Sequence, residues 1–189
     1  MKKFAAALCL LLMLTGCSGT DQELRRAMDL RQTLLDSSGC SFLCDITADY
    51  GDAIHRFSVD CRGDNQGNLT FTVTAPETIS GVTGFISEQG GQIIFGETAL
   101  QFPLLTDRQL SPVSGPWIFL RTLRSGYLMN AGKEEDLIHV GARDSYEEDA
   151  LLADLWLGPG DLPQKAEILY RGRKILTLEI QNFTMEPGL

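Results

Sequence analysis

Two histidines, five cysteines and two acidic runs are the residues of this 189-residue chain whose types could do chemistry. His55 and His139 are the available imidazole bases, and each sits in a run that alternates apolar with polar residues, the setting of a structural or surface histidine. The sequence holds no G-x-S-x-G, no H-E-x-x-H, no phosphate-binding loop and no dinucleotide fingerprint, so no catalytic class is indicated. Glu134-Glu135-Asp136 and Asp144-Ser145-Tyr146-Glu147-Glu148-Asp149 flank one expected strand and offer oxygen ligands. Neither has the spacing of a calcium loop, and a solvated hairpin end is the simpler reading. Cys40, Cys44 and Cys61 lack CxxC spacing and have no histidine at ligand distance, so neither zinc nor a redox pair is expected, and no cofactor or metal is implied. Arg121, Arg124, Arg171, Arg173 and Lys174 form a basic group for internal pairing or for an acidic partner.

The fourth cysteine carries a different chemistry. Lys2 and Lys3 precede an apolar run from Phe4 to Leu14, and Leu14-Thr15-Gly16-Cys17 then resembles the lipobox of a bacterial lipoprotein precursor, with too short an apolar run to span a membrane comfortably. The resemblance implies cleavage before Cys17, lipid on its thiol and acylation, palmitate among the acyl groups, of the new amino terminus in hosts with that enzyme. Two acyl chains anchor stably where one holds only marginally. The expected organisation is a lipoprotein signal peptide over 1–16, a lipidated tether over 17–20 and a single domain over 21–189 on the extracytoplasmic face of the cell membrane. Loss of Lys2 and Lys3 with the leader deepens a formal charge of −9, which disfavours nucleic acid as a partner. A hydrophobic content of 43% fits one globular core.

The elements that must position these residues follow from periodicity. Leu24, Ala27, Met28, Leu34 and Leu35 at helical spacing predict an amphipathic helix over Asp21 to Ser37. Phe42, Cys44, Ile46 and Ala48, then Phe57, Val59 and Cys61, predict a hairpin about Gly51-Asp52 with one apolar face. With Tyr50 opposite Ala53, Cys44 falls opposite Val59, and a bulge would bring it to Cys61. Cys44 with Cys61, Cys40 with Cys61, or three buried reduced thiols all remain open. Leu69, Phe71, Val73 and Ala75 alternate with threonines as the clearest strand. Strands are also expected over Ile79 to Ser87, where Gly81 and Gly84 suggest curvature or close backbone approach, over Gln92 to Phe95, and around Leu100 and Phe102. Pro103, Pro112 and Pro116 break the pattern, and Trp117, Ile118, Leu120, Leu123 and Leu128 predict a short helix opened by Pro116. Strands resume at Leu137 to Ala142, Ala150 to Leu157, Lys165 to Tyr170 and Ile175 to Phe183.

This is a mainly β (α+β) chain of nine or ten strands: a curved antiparallel half-open β-barrel with an N-terminal helix and a short helical lid. The order of elements resembles the LolA and LolB lipoprotein carriers, the LppX carriers and the RseB and MucB sensor domains, and Leu110-Ser-Pro-Val-Ser-Gly-Pro-Trp-Ile-Phe-Leu looks like the family's lid region. The layout is also similar to small lipoproteins of spore-forming Gram-positive bacteria, one group of which binds and activates a cortex amidase. Two non-enzymatic roles follow. In the first, an apolar hollow lined by Phe57, Phe71, Val73, Phe85, Phe95 and Trp117 binds an acyl chain or lipid. In the second, the domain positions or activates a cell-envelope or spore-cortex enzyme through a sheet edge or the lid.

Overall fold

The computed structural model describes residues 19–106, 109–147 and 150–188. The expected leader and lipobox with Cys17, and Glu148 and Asp149, lie outside the described residues. Helix α1 spans Gly19–Asp36, two residues earlier than periodicity suggested. Asp21 therefore lies inside the first turn, where an acidic residue complements the positive end of the helix. Strands β1 (Gly39–Asp49), β2 (Ile54–Asp64), β3 (Leu69–Ala75), β4 (Thr83–Ser87), β5 (Gly90–Phe95) and β6 (Thr98–Phe102) follow as an antiparallel meander. A small hairpin, β7 (Leu105–Thr106) and β8 (Gln109–Leu110), leads into helix α2 (Gly115–Ser125). A second meander completes the chain: β9 (Tyr127–Glu134), β10 (Leu137–Arg143), β11 (Leu152–Leu157), β12 (Pro163–Tyr170) and β13 (Arg173–Glu186).

The two meanders are fused where β1 pairs antiparallel with β13, giving one eleven-stranded sheet in the order β6-β5-β4-β3-β2-β1-β13-β12-β11-β10-β9. Its outer strands do not meet, so the barrel is open. Register shifts interrupt five of the ladders, including β1–β13 between Ser41 and Leu43, and Asn182 adopts φ 54° nearby. Bulges of this kind bend strands and increase twist, which lets one face of the sheet wrap around both helices.

The β1–β2 register is the one alternation predicts: the Tyr50 amide donates to the Ala53 carbonyl, and Cys44 lies opposite Val59. The ladder carries no bulge, so Cys61 faces Phe42 and Cys40 faces Gly63. Alternation also holds in β3, where Leu69, Phe71 and Val73 are buried and the threonines exposed. Gly84 answers to close approach, since an added Cβ would lie 2.3 Å from Cζ of Phe71. Over Ile79 to Ser87 only Thr83–Ser87 is strand. Glu77–Ile79 is a 3-10 turn, and Gly81 sits at φ 85° in the bend between them. Strand β9 has no counterpart in the expected strands: Leu128 belongs to it and not to α2, which stops where the Gly126 amide donates to the Thr122 carbonyl.

Candidate functional site

Helix α2 sits in the concave face of the sheet. Pro116 opens it, and Gly115 approaches the sheet so closely that a Cβ would meet Cδ2 of Leu178 at 2.9 Å. Its residues from Gly115 to Leu120, with Thr122 and Leu123, are buried. Phe119, fully buried, meets Phe42 edge-on at 5.8 Å and Phe183 at 6.3 Å, while Phe42 and Phe183 stack at 5.5 Å. Polar ties fix the helix along its length. Trp117 Nε1 donates to the Gly67 carbonyl at 2.9 Å, and Arg124 donates to the carbonyls of Asp64 and Asn65. Arg31 of α1 reaches across to the carbonyls of Leu123 and Gly126 at 2.7 and 2.8 Å. Helix α1 is held at its other end by an Arg26–Asp161 ion pair.

The six residues expected to line an apolar hollow do not converge on one. Phe71, Val73 and Trp117 are packed into the core, and Phe57 is half-buried against it. Phe85 is 40% exposed on the opposite face, because Gly84 and Ile86 take the inward positions of β4. Phe95 is 67% exposed at the end of β5. What remains beside the helix is a cavity of about 280 Å³ between α2, β8 and the β10–β11 loop. Leu104, Leu110, Trp117, Ile118, Leu151 and Tyr170 form its apolar wall, and Arg121, Asp144, Ser145 and Glu147 its polar side. The Arg121 guanidinium lies over the Trp117 ring at 5.4 Å and 3.9 Å from Asp144.

The titratable residues are dispersed into pairings. His139 Nε2 shares a 2.8 Å hydrogen bond with Asp154 and stacks beside Trp156, whose Nε1 donates to Glu134 and whose ring carries Lys165 at 4.5 Å. His55 lies 6.0 Å from the Tyr50 ring. Among the described residues neither histidine has a hydroxyl or thiol within hydrogen-bond distance. The basic residues form no single cluster: Arg173 pairs with Asp49, Lys174 with Glu167, and Arg171 lies over the Tyr170 ring. Asp144 accepts the Leu151 amide and so closes the β10–β11 loop. No group of acids, histidines and cysteines among the described residues is arranged to hold a metal ion. Cys40 and Cys44 of β1 and Cys61 of β2 are free, buried thiols. Burial pushes the Cys40 thiol up to about 11 and raises those of Cys44 and Cys61 well above the ordinary range.

Sequence patterning missed the exposed apolar residues outside the core. Ile94, Phe95 and Leu100 sit on the β5–β6 hairpin, and Tyr127, Met129 and Tyr146 surround the start of β9, with the two tyrosine rings 4.0 Å apart. The signal for the first group was an uncharged run, Thr98-Ala99-Leu100-Gln101-Phe102, inside an acidic chain. No helix among the described residues is long and apolar enough to cross a membrane.

No family model matches the sequence, and no curated protein matches it. Solved structures do. A LolA superfamily protein from Nitrosomonas europaea aligns over 92% of this chain and 96% of its own, at 8% identity and a TM-score of 0.47. The lipoprotein LppX from Mycobacterium tuberculosis aligns over 86% and 93%, at 11% identity and a TM-score of 0.41. A chain of the structure of the CwlD amidase from Clostridioides difficile in complex with the GerS lipoprotein aligns over 90% and 99%, at 13% identity and a TM-score of 0.41. These are the kinds of protein that the order of elements resembles.

Proposed function

We propose that the chain is a lipoprotein held through Cys17 at the extracytoplasmic face of the cell membrane, and that its domain works without catalysis, as a binding module for another envelope protein. One observation carries the choice of a protein over a lipid: the concave face, where an acyl chain would lie, is filled by α2. Phe119 and Leu123 of α2 have at most 1% exposure there. Large apolar side chains are instead presented outward, on the β5–β6 hairpin and around β9. Exposed apolar residues gathered in patches are a mark of interaction surfaces.

The cavity of about 280 Å³ supports a second reading, a small amphipathic ligand with its apolar part against Trp117 and Ile118 and its polar end at Arg121. That volume lies just below the range for small-molecule pockets, roughly 300–1,000 Å³. Two measurements on material from the native host separate the readings. Crosslinking in intact cells is expected to give one dominant protein adduct. Native mass spectrometry of the purified protein is expected to show the polypeptide with its own covalent lipid and nothing more. A noncovalent lipid retained at one per chain, and lost when Ile118→Trp fills the cavity, would overturn the first reading in favour of the second.

A further inference from the structure

The two edges of the sheet are finished differently. Strand β9 carries Lys133 and Glu134 near its end, shifts register against β10, and has α1 lying along it. Charges, irregular pairing and a covering helix are the devices by which natural sheets keep an edge from pairing with another chain. Among the described residues, strand β6 has none of them. Thr98 to Phe102 contains no charge and no proline, and its ladder with β5 runs unbroken from Phe95 opposite Thr98 to Gly91 opposite Phe102. Its first four residues are exposed, Leu100 to 63%. An uncharged, regular, apolar edge in a chain of net charge −9 is a template left open for a strand.

We propose that β6 is the docking strand for an extended segment of the protein partner, which adds antiparallel as a twelfth strand of the sheet. This rests on the protein-binding reading above and specifies its surface. The register states what the segment must carry. Leu100 shares a face with Ile93, and the Phe102 ring lies over Gly91 on that same face, so an apolar side chain is needed opposite Leu100. Ala99 and Gln101 share the other face with Ile94 and Gln92, where small or polar residues fit. Glu97 precedes β6 in the exposed turn, so an antiparallel segment ends beside it and gains from a lysine or arginine at its C-terminal end.

Other occupants fit this edge less well. A second copy brings another net charge of −9 to the contact, and a five-residue strand falls far short of the roughly 800 Å² per partner of a stable complex of folded surfaces. A bilayer cannot satisfy the free N–H and C=O groups of a strand edge. Strand addition supplies both, with main-chain hydrogen bonds for affinity and alternate side chains for selectivity.

The test places a photocrosslinking amino acid at Ala99 in one strain and at Met129 of β9 in another, in intact cells of the native host. The crosslinked peptide is mapped and synthesised, and its binding to the purified domain is followed by amide hydrogen exchange. The expected result is an adduct from Ala99 but not from Met129, and slower exchange of the β6 amides on adding the peptide. Binding should weaken about tenfold or more in Leu100→Lys at unchanged Tm, with Gln101→Lys read in its place should the first variant not fold. An Ala99 adduct with a second copy of the chain, unchanged β6 exchange, or full binding by the charged variant would overturn the docking strand. Capture of a protein from Met129 alone would overturn it while keeping the protein-binding reading, and no protein from either position would overturn both.

Discussion

Gly84 and Phe71 occupy directly opposed inward positions of β4 and β3, and the aromatic ring takes the space that a side chain at 84 would need. An alanine Cβ would also meet the Gln92 carbonyl oxygen at 2.8 Å, which is backbone and cannot swing away. Gly84→Ala is therefore expected to cost about 1–3 kcal/mol, read as a lower urea midpoint. Gly132→Ala on β9, where nothing lies within 4 Å, is expected to stay within about 0.5 kcal/mol. The three inward cysteines make a second expectation. Burial disfavours their thiolates, so the folded state holds their protons to higher pH than the unfolded chain does. Stability tied to them is complete below the unfolded thiol value of about 9 and falls as pH rises from there, through about 11 for Cys40 and beyond that for Cys44 and Cys61. A Tm measured from pH 8 upward should decline in that window, and Cys44→Ala with Cys61→Ala should flatten the decline. In a Cys17→Ser background, all three thiols should resist an alkylating reagent in the native protein and react in denaturant. The inward parity of Cys40, Cys44 and Cys61 was legible from alternation. Their separation depended on whether a bulge intervened, which no local pattern specifies.

At the scale of elements, the two helices stabilise one another through a cap. The end of α2 runs out of amide donors for its last carbonyls, and the Arg31 guanidinium from α1 takes that of Leu123, adds to the Gly126 amide at that of Thr122, and takes that of Gly126 just past the helix, partly buried as it does so. Arg31→Ala is expected to lower stability by about 1–3 kcal/mol and to speed amide exchange at the end of α2. Removal of exposed Arg25 from the same helix should do neither. Elements that bury one face declared themselves in sequence: β3 through strict alternation, the β1–β2 hairpin down to its register, α1 through helical spacing. Strand β9 did not, because it is an edge strand in which only Ala131 is buried and Asn130 and Gly132 interrupt any alternation. Leu128 was then free to read as the end of α2. The same logic hid the outward position of Phe85, since hydrophobicity alone does not say which side of a two-faced strand is covered.

On the scale of the molecule, α1 is already helical at Gly19, two positions beyond Cys17, so an anchor at that cysteine would hold the domain close to the bilayer. Cys17→Ser is expected to move the protein from the membrane to the soluble extracytoplasmic fraction or to stall it as the uncleaved precursor, read by fractionation and intact mass. Unchanged membrane retention would refute the anchor. A domain so anchored would present the β5–β6 hairpin and the Tyr127–Tyr146 corner to its surroundings, and the chain's net charge of −9 disfavours contacts with anionic lipid and nucleic acid.

The sequence by itself determined the local half of this protein: a helix followed by mostly antiparallel strands, the proline-opened helix in the middle, and which residues of β1, β2 and β3 face inward. These follow from interactions between residues close along the chain, where spacing and side-chain type are sufficient. Only the tertiary structure decided that β1 pairs with β13, that α2 occupies the concave face instead of covering an empty hollow, and that β6 is left bare while α1 runs along β9. Those outcomes depend on contacts between residues far apart along the chain, and on how much volume a helix and a bent sheet leave between them, quantities that no local pattern encodes.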